Sequence, residues 1–179
     1  MIYAEKLKQF NSTEKYKKEL EFLKGLIKMY SVGNQYVNDP ILDYGCGNGD
    51  AVQYLNSCNY GAYGFDKVKH NDIFNYKKDT NDHYDIVYFL HSFAHIENIK
   101  DVLIDLVCKK IIVITPNKEW LKLNQSDTYK PDTTVVNHYS ELELIDLFES
   151  LGFEVELCGT FGQCTGNHGE RLFLIAKKK

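Results

Sequence analysis

Apolar residues recur every three or four positions at Tyr16, Leu20, Leu23, Ile27 and Tyr30, with lysines and glutamates between them, so the chain opens on an amphipathic helix. Asn11 and Glu14 make a capping-box-like start for it, and Gly33 a stop. After the turn signal Asn38-Asp39-Pro40 the pattern changes. Ile41-Leu42-Asp43-Tyr44 reads as a short apolar strand entering a loop with glycine at 45, 47 and 49, and Ala51, Val52 and Leu55 behind Asp50 read as the following helix. Residues 60–65 form a second strand. Tyr84 to Leu90 and Lys110 to Thr115 are near-continuous apolar runs, suited to strands buried on both faces of a parallel sheet, and a helix from Ile99 to Cys108 joins them. Ser140 with Glu143 is a capping box, Leu142, Ile145, Phe148 and Leu151 are the buried stripe it predicts, and Gly152 ends that helix. Strands near 153–158 and 171–176 then pair as a hairpin.

Strand and helix alternate through most of this order, which predicts an α/β fold: a doubly wound, mostly parallel sheet with helices on both faces and a C-terminal antiparallel hairpin. The 179 residues, 44% of them hydrophobic, fit one domain, with 1–37 as a helical cap and 38–179 as the core. That one domain then has to hold both a cofactor and an acceptor.

Glycine at 45, 47 and 49 lets the backbone turn sharply and approach a ligand, at the carboxyl end of a strand and the start of a helix. The dinucleotide fingerprint G-x-G-x-x-G does not fit, because the third glycine comes one residue early and Asp50 stands in its place. Asp66, 21 positions after Gly45, ends the second strand, where an acid accepts hydrogen bonds from ribose hydroxyls. The plainer alternative is a glycine-rich turn that holds no ligand.

The decapeptide Ile-Leu-Asp-Tyr-Gly-Cys-Gly-Asn-Gly-Asp at 41–50 resembles the first motif of class I S-adenosylmethionine-dependent methyltransferases, D-x-G-C-G-x-G. The string from Tyr84 through His91 to His95-Ile96 looks like that family's fourth-strand motif, and Tyr139-Ser140-Glu141-Leu142 through Leu151-Gly152-Phe153 like its late helix and strand entry. The resemblance runs from about residue 38 to the C-terminus. It implies a Rossmann-like sheet of seven strands, or six, because only 19 positions separate Asp66 from Asp85 where the family fits a helix, a strand and a loop. It further implies S-adenosyl-L-methionine as cofactor and S-adenosyl-L-homocysteine as product. The residues implied to hold them are Asp43, Gly45, Cys46, Gly47, Gly49, Asp66, Leu90 and His91, with Asp72 and Ile73 at the adenine.

Methyl transfer is an in-line displacement, so most of the catalysis is orientation, and a base is needed only where the acceptor must lose a proton. Imidazole suits that at neutral pH, which leaves His91 and His138 as catalytic candidates; the family's histidine at position 95 is usually structural. The polar stretch 116–139 carries the only Trp, and Asn117, Trp120, Tyr129 and His138 are the expected acceptor-lining residues, unless the stretch is an ordinary surface excursion anchored by Trp120.

A net charge of −4 gives no general attraction for nucleic acid, which points to a small-molecule acceptor: a metabolite, sugar or lipid-linked precursor, methylated on oxygen or nitrogen. An RNA- or protein-modifying methyltransferase and a cofactor-binding but catalytically silent partner subunit stay open beside it. Five cysteines with no C-x-x-C pair, one of them in the glycine loop, read as reduced thiols of a cytoplasmic protein. Cys158, Cys164 and His168 match no zinc spacing, so no metal is expected. Without an apolar signal core or a stretch of about 20 apolar residues, no membrane partner is expected either, and the protein is read as a monomer or homodimer.

Overall fold

The computed structural model describes residues 13–30, 40–67, 82–124 and 134–179. Helix α1 (Glu14–Tyr30) buries Tyr16, Leu20, Leu23 and Ile27 of the expected stripe together with Leu26 and Glu19, while Tyr30 at its end is half-buried. Its cap is Thr13, whose hydroxyl accepts from the Tyr16 N–H at 3.1 Å. Asn11, the cap expected from sequence, lies outside the described residues.

Strand β1 (Ile41–Tyr44) leads through the glycine loop to α2 (Asp50–Ser57) and back to β2 (Ala62–Phe65). β3 (Tyr84–Leu90) is followed by a single 3₁₀ turn at Phe93–His95, then α3 (Ile99–Asp105) and β4 (Cys108–Pro116). α3 is therefore shorter than expected, because Cys108 already starts the next strand. The described strands form one six-stranded sheet in the order β2-β1-β3-β4-β6-β5. β1 pairs in parallel with both β2 and β3, so the chain winds outward from β1 and then crosses to its other side. That reversal is the topological switch point at which open α/β sheets bind ligands, beyond the carboxyl ends of the strands. The glycine loop and His91 both sit there.

Within 116–139 the chain forms a short helix, α4 (Lys118–Leu123), where a loop was expected. α5 (Glu141–Ser150) starts on the predicted capping box, Ser140 with Glu143. Its buried stripe is Leu144, Leu147 and Phe148, and Leu142 is 73% exposed. At 3.6 residues per turn, positions 142 and 144 stand roughly 200° apart, so only one can face the sheet, and the 144/147/148 set makes the wider stripe.

The closing strands are much longer than their apolar runs: β5 is Phe153–Thr165 and β6 is His168–Lys178. β6 pairs antiparallel with β4 as far as Pro116↔Arg171, while β5 and β6 continue to Thr165↔His168. The hairpin thus overhangs the carboxyl edge of the parallel strands. Glycines at 159, 162, 166 and 169 and a break in register between Phe161 and Cys164 hid this extension, since glycine weakens any strand pattern.

Each face of the sheet has its own core. On one face Phe93, Ile99, Leu103, Leu144 and Phe148 pack against Val87, Phe89, Ile111 and Val113. On the other, α1 and α2 cover Ile86, Tyr88, Ile112, Ile114 and Ile175.

Candidate functional site

The glycine loop folds across the end of β2. The N–H groups of Gly45 and Cys46 both donate to the Phe65 carbonyl, at 2.7 and 3.0 Å, and that of Gly47 donates to Asp66 Oδ2 at 2.9 Å. Gly45, Gly47 and Gly49 have φ of +82°, +52° and +77°. At Gly45 the need for glycine is also spatial, since a Cβ there would lie 2.3 Å from Ser92 Cβ. Ser92 in turn donates its hydroxyl to the Tyr44 carbonyl, fastening the end of β3 to that of β1. Gly49 occupies the N-cap of α2, so the helix begins directly at the loop.

Asp43 is 2% exposed, beneath the loop, and its Oδ1 has no hydrogen-bond partner among the described residues. Burial pushes its carboxyl up to about 8; the Tyr88 hydroxyl works against that shift and the Asp66 charge adds to it. A buried carboxyl oxygen left unpaired beside a glycine loop with no side chain at 45, 47 or 49 fits a polar ligand group that completes its hydrogen bonding. Cys46 is half-buried, and its thiol is likewise raised, chiefly by burial and then by Asp43 and Asp66.

His91 directly follows β3. Its N–H donates to the Ile114 carbonyl at 2.9 Å, and its φ is +65°. Such a backbone costs a side-chain-bearing residue about 1–3 kcal/mol and persists only where the surroundings enforce it. Here Nε2 lies 2.6 Å from Glu19 Oε2 on α1. Arg171 Nε donates to the other oxygen of Glu19 at 2.9 Å, and its Nη1 approaches Glu170 at 3.4 Å. Lys15 pairs with Glu170 in turn. Glu19 and Arg171 are 3% and 8% exposed. Burial alone would raise Glu19, but His91 and Arg171 hold it below the usual carboxylate range. Burial lowers His91, a shift that Glu19 partly opposes and Arg171 and Lys15 reinforce. The 2.6 Å contact and the direction of both shifts fit a ring that donates from Nε2 to a carboxylate.

Beside this network, between the start of α1 and the overhanging hairpin, lies a groove of about 410 Å³ lined by Lys15, Lys18, Glu19, Phe161, Gln163 and Glu170. Neither Glu19 nor Arg171 was expected from sequence. Both had signals: Glu19 is a charge inside the apolar stripe of α1, and Arg171 is the only arginine of the chain, at the head of an apolar run.

The other candidates are scattered. Leu90 is buried at the end of β3. Asn117 is buried, its side-chain oxygen accepting from the Glu119 N–H at 3.0 Å and its NH₂ donating to Gly169 at 2.8 Å, so its amide serves to cap α4 and hold the hairpin. Trp120 is half-buried on α4, and its indole N–H is buried without a partner among the described residues. His138 is exposed, in a segment whose neighbours Val136 and Asn137 bond to the Ala94 carbonyl. His95 Nδ1 lies 3.0 Å from the Thr134 hydroxyl. Asp72, Ile73 and Tyr129 lie outside the described residues. Among the described residues no three His, Cys, Asp or Glu side chains are grouped to hold a metal, and no helix is long and apolar enough to cross a membrane.

A family model described as a methyltransferase domain matches residues 12–157. No curated protein matches the chain in sequence. Its structure is similar to that of a SAM-dependent methyltransferase from Aquifex aeolicus, at 17% identity and a TM-score of 0.68 over 97% of each chain. It is also similar to the methyltransferase domain of bacterial CtHen1, at 15% identity and a TM-score of 0.67 over 92% of this chain and 100% of that one. A third likeness is to magnesium protoporphyrin IX methyltransferase from Synechocystis PCC 6803 with bound SAH, at 15% identity and a TM-score of 0.64 over 90% of this chain and 84% of that one.

Proposed function

The chain belongs to the methyltransferase-domain family, and from that premise we propose that this S-adenosylmethionine-dependent enzyme methylates an oxygen or nitrogen of a small-molecule acceptor bound in the groove beside His91. The observation that carries the reading is the shared side chain: Glu19 lines the groove and also holds the His91 ring. A groove of about 410 Å³ lies in the range of small-molecule sites, and the chain's net charge of −4 offers nothing general to a polyanion.

Asp43, the glycine loop and Asp66 would hold the cofactor: the loop for close backbone approach, Asp66 for the ribose hydroxyls, and Leu90 with the His91 backbone at its methionine end. Bound S-adenosylmethionine supplies a methyl group made electrophilic by the sulfonium. The chain's own part is to align the acceptor atom behind that carbon and keep water out, which can lower the barrier by ~7–11 kcal/mol. Where the acceptor atom must lose a proton for the transfer, the second ring nitrogen of His91 would take it up. Neutral His91 at the carboxyl edge of the sheet is suited to that.

Calorimetry with S-adenosylmethionine, S-adenosylhomocysteine and NAD tests the first half, with binding expected for the first two only. Tritiated methyl donor offered to separate small-molecule, RNA and protein fractions of a cell extract tests the second. Label entering the small-molecule fraction supports the reading; label confined to RNA or protein, or to none of the three, overturns it.

A further inference from the structure

Glu19 and Arg171 have no part in holding the cofactor as described above, yet they are among the most deeply buried charges of the described chain. We propose that Glu19 is the positioning residue of the reaction: it holds the His91 ring by Nε2–H so that the lone pair stays on Nδ1, while Arg171 holds Glu19. This rests on the methyl-transfer reading and goes beyond it, since it ties the base to a helix outside the sheet.

Three observations converge on the pair. His91 sits in a left-handed backbone conformation that aims the residue off the strand, and such outliers concentrate where function over-determines the geometry. Its ring keeps 20% of its surface exposed, whereas the carboxylate that grips it is 4% exposed and itself lines the groove. Finally, the two oxygens of Glu19 are divided between His91 at 2.6 Å and Arg171 at 2.9 Å, which leaves the carboxylate little freedom to rotate away. A residue that only fastened α1 to the sheet would need neither the imidazole nor the strained backbone beneath it. Among the described residues, the charged groups that act on His91 are Glu19 and Lys15 from α1 and Arg171 from β6. Glu19 is the one that favours the imidazolium, so it makes the base stronger as well as oriented. The same carboxylate lies in the wall of the groove, so the seating of α1, the groove and the tautomer of the base are set together.

The test compares wild type with Glu19→Gln and Glu19→Asp, labelled with ¹⁵N-histidine. Long-range ¹H–¹⁵N spectra should show the Nε2–H tautomer of His91 in wild type. In Glu19→Gln, which keeps the shape and loses the charge, the His91 titration should move down by about one unit. Tritium transfer from S-adenosylmethionine to the small-molecule extract should fall at least ~10-fold in Glu19→Gln, with its acid limb displaced by the same amount as the NMR titration, and Glu19→Asp should recover much of the rate. Calorimetric affinity for S-adenosylhomocysteine should be unchanged in all three. A His91 titration that does not move, or a pH–rate limb that does not follow it, overturns the proposal. Failure of wild type to bind S-adenosylhomocysteine would instead strike the methyl-transfer reading, and is seen before any variant is made.

Discussion

Replacing Gly45 by Ala separates two reasons a glycine can be required. The first is conformational: φ at Gly45 is +82°, and an L side chain there costs ~1–2 kcal/mol. The second is spatial, because the new Cβ would stand 2.3 Å from Ser92 Cβ and 2.9 Å from its Oγ, a contact real atoms do not make. Ser92 cannot swing away cheaply, since its hydroxyl is bonded to the Tyr44 carbonyl. Overpacking of this kind adds ~1–3 kcal/mol, for a total of ~2–5 kcal/mol. Two other glycines give the comparison. Gly152 has φ of +83° and open space around its missing Cβ, so Gly152→Ala should show the conformational cost alone, ~1–2 kcal/mol. Gly25 lies within α1 with nothing near, so Gly25→Ala should stabilise by ~0.5–1 kcal/mol. Urea midpoints at constant slope report all three. Combining Gly45→Ala with Ser92→Gly should recover at least ~1 kcal/mol relative to the sum of the single variants. Strict additivity, or a Gly45→Ala cost no greater than that of Gly152→Ala, would refute the assignment of a close β1–β3 approach.

Three further outcomes are expected. Asp66→Ala should weaken S-adenosylhomocysteine binding in calorimetry by ~1.5–3 kcal/mol, as the proposed acceptor for the ribose hydroxyls is removed and the Gly47 N–H loses its partner; unchanged affinity removes Asp66 from the proposed site. Asp43 holds its proton in the fold up to about pH 8 but gives it up near pH 4 once unfolded, so its stabilising effect is complete below pH ~4 and is lost as pH rises toward 8. Asp43→Asn should therefore gain on wild type in urea midpoint between about pH 5 and pH 8, and a constant difference would contradict the buried protonated carboxyl. Arg171→Met leaves Glu19 without its guanidinium and should cost about 3–5 kcal/mol in urea denaturation, much of it recovered when Glu19→Leu is added; a single variant as stable as wild type would show the network to be slack.

Much of the fold was legible because periodicity reports burial. The stripe Tyr16–Leu20–Leu23–Ile27, the runs 84–90 and 110–115, the glycine loop and the Ser140/Glu143 box each carry their structure locally. What failed depended on distant partners. Leu142 and Leu144 are equally apolar, and only the sheet decides which one it buries. The overhang of β5 and β6 is held by cross-strand pairing through glycine-rich sequence, which no alternation marks. At the site, the glycines and acids of the loop lie within 24 residues and could be read together. The Glu19–His91–Arg171 cluster joins residues 72 and 152 positions apart, so only the folded chain puts them in one place.

Helix α1 has two loyalties. One side supplies Tyr16, Leu20, Leu23, Leu26 and Ile27 to the core that covers Ile112, Ile114 and Ile175, while Lys15, Lys18 and Glu19 reach the groove. On the proposed reading of the groove, acceptor choice is thus not a detachable cassette. A relative could not exchange the helix for another recognition element without unroofing half of its sheet. Divergence in what is methylated should therefore collect at the exposed positions 14, 15 and 18 and along the hairpin tip, while the rows between them drift slowly.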